Sequence, residues 1–288
     1  MTQPNLPDFD SLWDYSQPDQ TETRFLEILP QFPEDSPARL ELLTQIARAQ
    51  GLQREFSDAH LMLDEVERQL SIESSRARVR YLLERGRVFN SSGRSDQARP
   101  LFEQAMKMAQ ELNEDFYAVE AIHMLAIVAD PASSLDLNLR AIQMAESSGQ
   151  ERARGWLGSL YNNTGWSYHD MGDYESALKI FEKAESYFRE VGREDRLRIA
   201  KWTVARCLRS LKRVEEALSK QLALQAGYES VGGSDGYVEE EIGECLLLLK
   251  RESEAKPYFA KAYELLSQDE WMMENEAERM KRLKELSS

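Results

Sequence analysis

Residues 161–184 read YNNTGWSYHDMGDYESALKIFEKA, and residues 82–105 carry the same pattern 79 positions earlier. Seven positions keep the same spacing in the two copies, and five of those positions hold the same residue. In the later copy the seven are Tyr161, Gly165, Tyr168, Gly172, Ala177, Phe181 and Ala184. Each half of the pattern places apolar or small residues at i, i+4 and i+7, which is typical of one face of a helix. Each copy therefore predicts two helices joined by a turn.

The pattern recurs along most of the chain, which indicates an internal repeat. A third copy starts at Ile242 and keeps the glycine, alanine and phenylalanine positions as Gly243, Ala255 and Phe259. The small residues of the second helices are Ala59, Ala98, Ser134, Ala177, Ala217 and Ala255. They lie 39, 36, 43, 40 and 38 positions apart. The sequence therefore predicts about six helix pairs with a period near 39 residues.

Small residues at fixed places of the repeat indicate close packing between helices. Gly86, Gly165 and Gly243 occupy the same position of the first helix, although a glycine inside a helix costs about 1 kcal/mol relative to alanine. We therefore expect that a phenylalanine of the second helix fills the groove at this position. Gly172 is a candidate for the left-handed residue that ends a first helix, and Asp173 is a candidate N-cap of the next helix.

These residues resemble the tetratricopeptide repeat family over roughly residues 38–266. The period of about 39–40 residues exceeds the family's 34-residue unit, so the resemblance is to long-repeat members. It implies an all-α fold, a right-handed α-solenoid of stacked antiparallel helix pairs with about six such units. We expect residues 37–267 to form this repeat domain. We expect residues 268–288 to form a C-terminal capping helix, because repeat arrays need a polar-backed cap.

Residues 1–36 are predicted to form an acidic N-terminal arm with a short helix over residues 21–29. The arm has a net charge of −7, with Arg24 as its single cation. The apolar residues between the acids are Phe9, Leu12, Trp13 and Tyr15. Two interpretations stay open: these side chains pack on the first repeat, or the arm is a self-ligand in the groove or a tail that binds a partner.

The composition excludes several classes of function. The chain has 288 residues, with 36 Lys and Arg against 51 Asp and Glu, and a net charge of −15. This balance argues against nucleic acids and anionic membrane surfaces as partners, because both require clustered positive charge. The sequence has no run of about 18 apolar residues, the length that a transmembrane helix needs. Two cysteines do not form a disulfide framework, so we expect a reducing cytoplasm as the location.

The resemblance implies that the first helices line a concave surface, and we place the candidate binding site there. The candidate partner-binding residues are Arg48, Arg80, Arg87, Asn90, Asn162, Asn163, Trp166, His169, Trp202, Arg206 and Arg209. Arginines bind carboxylates through paired hydrogen bonds and aromatic rings add buried area, so we expect an acidic, extended or helical peptide as ligand. The alternative for each residue is an intramolecular salt bridge or packing contact.

One of these residues matches the family's own ligand site. Asn163 stands where the family often places an asparagine that holds the ligand backbone, so the resemblance implies that role for it. Other repeats of this sequence hold Glu84, Thr203 or Glu241 at the equivalent position. The match is therefore confined to one repeat.

The sequence contains no pattern that indicates catalysis or metal binding. His60, His123 and His169 are scattered, and none has a second His or Cys at the spacing of metal ligands. Ser176 and Lys179 match a Ser-x-x-Lys pattern, but they lie inside a repeat helix and lack its companion motifs. We therefore expect no enzyme activity, no cofactor and no metal.

The sequence thus predicts an acidic, cytoplasmic, non-catalytic scaffold for protein–protein interaction. It would bind a peptide or helix of a partner protein in the concave groove, with no nucleic-acid or membrane partner. Two alternatives stay open. One is a self-assembling structural repeat protein, which would form a homo-oligomer, and the other is a regulator that senses a peptide or a small molecule.

Overall fold

The chain is mainly helical in the residues that the computed structural model describes, which are 8–34, 36–71 and 75–288. Residues 1–7 and Asp35 of the predicted arm, and 72–74 of the predicted repeat domain, lie outside the described residues. The chain divides into two compact units, Met1–Leu160 and Tyr161–Ser288. Within the described ranges no residue belongs to a β-strand.

The described part of the first unit contains two 3₁₀ turns, one before its first helix and one after it, and eight helices. The turns are Phe9–Leu12 and Leu29–Gln31. The helices are α1 (Pro18–Ile28), α2 (Pro37–Leu52), α3 (Phe56–Gln69), α4 (Ser75–Ser91), α5 (Ser95–Glu111), α6 (Asp115–Ile127), α7 (Pro131–Ser147) and α8 (Glu151–Arg154). The boundary between the units falls within α9 (Leu157–Asp170). The second unit continues with α10 (Tyr174–Glu190), α11 (Glu194–Ser210), α12 (Val214–Glu229), α13 (Gly236–Leu248), α14 (Glu252–Leu266), α15 (Glu270–Asn275) and α16 (Ala277–Leu286).

Consecutive helices pack against each other as pairs. The first helices of the pairs are α2, α4, α6, α9, α11 and α13, and the second helices are α3, α5, α7, α10, α12 and α14. Three residues join the two helices of every pair, so each second helix runs back along the first. The prediction of an all-α fold built from about six antiparallel helix pairs is confirmed.

The repeated glycines lie where a phenylalanine of the second helix presses on the first. The contacts are Gly86 with Phe102, Gly165 with Phe181, and Gly243 with Phe259. A Cβ atom would lie 2.4 Å from the ring in the first two pairs and 2.8 Å in the third, which is closer than a side chain tolerates. All three phenylalanines are fully buried. The predicted packing requirement is therefore confirmed.

The turn inside five of the six helix pairs uses a left-handed residue. Gly172 has φ +80°, as predicted for a residue that ends a first helix. The equivalent residues with positive φ in other pairs are Arg54, Gly93, Lys212 and Lys250. The Asp173 side chain accepts a hydrogen bond from the Ser176 amide at 3.1 Å, which confirms it as the N-cap of α10.

The described part of the N-terminal arm folds onto the first unit. Its helix, α1, begins at Pro18 and ends at Ile28, three residues earlier at its start than the sequence predicts. Phe9 and Phe25 are buried in the hydrophobic core of this unit. Phe9 and Trp13 therefore pack on the first unit, as in the first of the two interpretations, whereas Tyr15 is exposed.

The C-terminal segment forms two helices where the sequence predicts one. Glu276 separates α15 from α16, because its φ of −119° and ψ of 32° lie outside the α-helical range. Met272, Met280 and Leu283 of this segment are buried, whereas Met273 is exposed. The prediction of one continuous helix is therefore wrong. The capping role stays a prediction, and the packing of α16 on α14 fits it.

Candidate functional site

Three aromatic side chains form a row across the first helices of the second unit. Trp166 lies on α9, Trp202 on α11 and Tyr237 on α13. The ring centroids of the two tryptophans are 6.3 Å apart, and those of Trp202 and Tyr237 are 6.4 Å apart. The Trp202 indole also donates a hydrogen bond to the Tyr237 carbonyl oxygen at 3.1 Å. We call these three residues the aromatic row.

A pocket of about 280 Å³ opens beside the aromatic row. Its lining residues are Arg198, Ile199, Trp202, Tyr228, Asp235, Tyr237 and Val238. Ile199 is 49% exposed and Tyr237 is 39% exposed. Large apolar side chains that stay exposed next to one another mark an interaction surface more often than single exposed residues do. The pocket can therefore take one apolar side chain of a ligand.

A larger pocket of about 340 Å³ lies between α10, α11 and α12 and offers less for recognition. Its rim carries Glu185 and Glu194 together with Lys201 and Lys220. Ion pairs between exposed charges contribute little, because water screens them. We therefore place the candidate site at the aromatic row.

The two candidate arginines of the second unit are bound to a carboxylate of the same chain. Arg209 donates two hydrogen bonds to Glu241, at 2.7 and 2.8 Å, and Arg206 Nε lies 3.1 Å from the same carboxylate. Glu241 is buried. Both arginines therefore have an intramolecular partner, as in the alternative interpretation, and Glu241 offsets one of their two positive charges. Their position still fixes α11 against α13 beneath the aromatic row.

The remaining candidates of the second unit lie on α9 around Trp166. His169 accepts or donates a hydrogen bond at 2.9 Å with the Ser210 hydroxyl, and its ring contacts the Trp166 ring at 5.1 Å. Burial, together with the nearby positive charge of Arg206, holds the pKa of His169 below its usual value, so the ring is neutral at pH 7. Asn163 is exposed and can reach a ligand.

Asn162 is half-buried and contacts its neighbour in the sequence. Its side-chain amide approaches Asn163 Oδ1 at 3.5 Å, at the limit of a hydrogen bond. Asn162 lies four residues before Trp166, so the two side chains share one face of α9. Both asparagines therefore leave amide groups next to the aromatic row.

In the first unit, the equivalent surface carries a network of arginines and buried glutamates. Arg87 lies 2.7 Å from Glu84 and 2.6 Å from Glu120. Arg48 lies 3.6 and 3.7 Å from the same two carboxylates. Asn90 accepts a hydrogen bond from the Ser95 hydroxyl at 2.9 Å. These candidates are therefore held by partners within the unit.

Arg80 is an interior residue. It is only 3% exposed, and it donates hydrogen bonds to both Asp10 carboxylate oxygens at 3.2 and 2.6 Å. Its Nε lies 3.3 Å from Glu41. The prediction that Arg80 lines an open groove is wrong for this structure, because the N-terminal arm covers it.

The match to a family of known repeats comes from the second unit. The family model described as "Tetratricopeptide repeat" matches residues 158–190, which include α9 and α10. This helix pair is therefore similar to a tetratricopeptide repeat. No curated protein matches the sequence.

Solved structures share the fold of this chain at low sequence identity. The apo form of RapI is 14% identical, with a TM-score of 0.74 over 91% of this chain and 74% of RapI. A signal transduction ATPase with a tetratricopeptide repeat sensor, from Pyrococcus horikoshii, is 15% identical, with a TM-score of 0.72 over 92% of this chain and 41% of that protein. The apo quorum sensor NprR from B. thuringiensis is 15% identical, with a TM-score of 0.58 over 91% of this chain and 76% of NprR. These similarities concern the fold alone.

The repeat domain offers little reactive chemistry in the part of the chain that the structure describes. Burial raises the pKa of the Cys207 thiol to about 11 and that of the Cys245 thiol to about 12, so both are weak nucleophiles at neutral pH. Among the described residues, no group of three or more His, Cys, Asp or Glu side chains is arranged to hold a metal ion. No described helix combines the length and the apolar character that crossing a membrane requires.

Sequence reasoning found the tryptophans of the site and missed the partners of its arginines. Tyr237 and the pocket residue Ile199 were not among the candidates. The sequence did contain a signal for the arginine partners, because Glu84 and Glu241 stand at the repeat position of Asn163. A carboxylate at a position that faces the neighbouring first helix is a partner for an arginine there.

Proposed function

We propose that this chain is a non-catalytic interaction protein that binds a peptide or helix of a partner across the first helices of its second unit. The observation that carries the proposal is the aromatic row with the open pocket beside it. Aromatic side chains in such positions account for much of the binding energy at protein interfaces. The ordered helices that present them lower the conformational entropy lost on binding.

The open shape of the pocket favours a peptide over a free small molecule. Small-molecule sites usually bury most of the ligand's surface, whereas the pocket of about 280 Å³ at Trp202 is open to solvent. One apolar side chain fills such a space, and the rest of a peptide can lie along the aromatic row. The amide groups of Asn162 and Asn163 then lie close enough to bond a peptide backbone.

The chemistry of this surface differs from the acidic-peptide preference that the arginines suggested. Arg206 and Arg209 both pair with Glu241, which offsets one of their two positive charges. The pocket is mostly apolar, with Arg198 stacked on Tyr228 at 4.8 Å. The partner segment for the second unit is therefore one with an apolar anchor residue.

A sensing regulator is a second form of the same proposal. Two proteins of similar fold are described as a quorum sensor and as an ATPase with a tetratricopeptide repeat sensor. A signalling peptide with an apolar anchor would use the same surface. We place this activity in the cytoplasm, where the buried thiols of Cys207 and Cys245 would stay reduced.

A peptide selection tests the proposal without knowledge of the partner. The full chain is screened against a displayed library of random peptides of about 12 residues, which span up to about 40 Å when extended. The same selection is run on Trp202→Ala and on Trp271→Ala. Trp271 is a matched control, because it is 58% exposed on α15 and does not line the pocket.

We expect the wild-type chain and Trp271→Ala to enrich the same peptide family, with one apolar residue at a fixed position. Trp202→Ala should lose that family while its circular dichroism stays helical. Enrichment of the same family by all three proteins, or of none by the folded wild type, would overturn the assignment.

A further inference from the structure

The Asp10 carboxylate of the N-terminal arm lies between the guanidinium groups of two arginines. Arg80 donates two hydrogen bonds to it, at 3.2 and 2.6 Å, and the Arg152 guanidinium contacts the same carboxylate. Arg152 also lies 3.7 Å from Asp8. Arg80 is almost completely buried, so its charge requires a carboxylate partner. This is a built recognition site for an acidic side chain.

The aromatic residues of the arm have binding places of their own. Phe9 is buried in the core of the first unit. The Trp13 indole donates a hydrogen bond to Gln45 Oε1 at 3.0 Å. The Arg48 guanidinium lies 5.4 Å from the Trp13 ring centroid and 5.2 Å from that of Tyr15, within the range of cation–π contacts. Gln45, Arg48, Arg80 and Arg152 together are called the arm cradle below.

The arm is attached to the arm cradle through side chains. Two backbone hydrogen bonds of the arm join residues of the arm itself. The Ser11 amide donates to the Asp8 carbonyl and the Trp13 amide donates to the Asp10 carbonyl, both at 3.3 Å. Side-chain hydrogen bonds and ring contacts supply the attachment to α2, α4 and α8. An exchangeable peptide ligand can be held in the same way, because such contacts form again when an equivalent segment replaces the first.

The charges around the arm cradle also require an acidic occupant. The arginines of this surface are Arg48, Arg76, Arg80, Arg87 and Arg152, and the glutamates that pair with them are Glu41, Glu84 and Glu120. These arginines exceed the three glutamates by two charges, and Glu114 near Arg76 and Arg80 offsets one of the two. Asp10 of the arm offsets the other, and Asp8 adds a further negative charge near Arg152.

We propose that the arm cradle is a binding site for a peptide segment in which two carboxylates flank a phenylalanine and a tryptophan follows three residues after the second carboxylate. In the free chain, residues 8–15 occupy this site as a built-in ligand. A partner protein that carries such a segment displaces the arm. This site is separate from the aromatic row, so the inference does not depend on the function proposed there.

The covalent connection makes the arm a strong competitor. A short tether gives a bound segment an effective concentration on the order of millimolar. A free peptide at micromolar concentration therefore binds the wild-type chain weakly. Weakening the arm's own contacts should expose the site to the same peptide.

The test uses a fluorescein-labelled peptide with the sequence of residues 8–17, DFDSLWDYSQ, and fluorescence anisotropy. The receptors are the full wild-type chain and the full chains Asp10→Asn and Trp13→Leu, each checked for helical circular dichroism. Trp13→Leu keeps an apolar side chain and removes the indole contacts, so it serves as a second arm-weakened chain. We expect both variants to bind the peptide about 10- to 100-fold more tightly than the wild type, because their arms compete less.

Two controls separate recognition from general charge attraction. The same peptide carrying Asp10→Asn should bind the variants at least about tenfold more weakly, a difference of about 1.4 kcal/mol. Adding Arg152→Gln to the Asp10→Asn chain should weaken binding of the original peptide, whereas Arg140→Gln, an exposed arginine of α7, should not. Equal binding by wild type and variants, or no saturable binding to folded variants, would overturn the proposal.

Discussion

At the scale of single residues, buried glutamates decide which arginines are free to bind a partner. Glu241 holds two arginines of the second unit, and Glu84 and Glu120 hold two of the first. A buried carboxylate without a partner is costly, so these pairs persist in the free protein. The tryptophan rings of the second unit form no ion pair within the chain. These tryptophans therefore stay open to a ligand.

Gly165, in the first helix of its pair, gives the sharpest test of stability. In Gly165→Ala, the new methyl group lies 2.4 Å from the buried Phe181 ring. Overpacking of this kind costs about 1–3 kcal/mol, so we expect a lower free energy of unfolding in urea. The control Gly227→Ala lies in α12 with no atom within 4 Å, and alanine should gain up to about 1 kcal/mol there. A Gly165→Ala chain as stable as the control would contradict the packing argument.

The buried histidine of the first unit gives a pH dependence. Burial holds the pKa of His123 below its usual value, with an opposing contribution from the nearby Asn138 side chain and a smaller lowering contribution from Arg87. As the pH falls below about 6.5, the unfolded chain takes up this proton before the folded chain does. The neutral His123 therefore contributes fully to the free energy of unfolding above that pH, and this contribution is lost as the pH falls. We expect the melting temperature of His123→Gln to depend less on pH between about 6.5 and 5.5 than that of the wild type, and equal slopes would contradict this.

At the scale of helices, the sequence predicts the pairs well because one spacing rule repeats. The positions of Gly165, Ala177 and Phe181 are set by contacts inside one helix pair. Residues that lie close together in the sequence are therefore enough to predict this packing. The break at Glu276 depends on the backbone angles of one residue, and the apolar spacing does not record it. The pairing of Arg80 with Asp10 joins residues 70 positions apart and depends on how the arm folds back.

The C-terminal helix α16 is expected to stabilise the second unit through one buried side chain. Leu283 is fully buried, and Leu283→Ala should cost about 2–5 kcal/mol. Leu222→Ala is the matched control, because Leu222 is 39% exposed on α12 and its truncation should change stability by less than about 0.5 kcal/mol. Thermal unfolding compares the two. Equal melting temperatures would show that α16 does not cap the unit.

At the scale of the whole molecule, the two units present different binding chemistry. In the first unit the surface of the first helices is charged, and the chain's own arm covers it. In the second unit the corresponding surface is aromatic and open. The two proposals therefore assign an acidic segment to the first unit and an apolar anchor to the second unit of a chain with a net charge of −15.

Isothermal titration calorimetry of a selected peptide tests the central claim most directly. The peptide is titrated into the wild-type chain, Trp202→Ala and Trp271→Ala, all shown to be folded. We expect Trp202→Ala to bind at least about 30-fold more weakly, as a loss of about 2 kcal/mol at an interface hot spot requires, and Trp271→Ala to bind like the wild type. Equal affinity for the wild type and Trp202→Ala would contradict a binding site at the aromatic row.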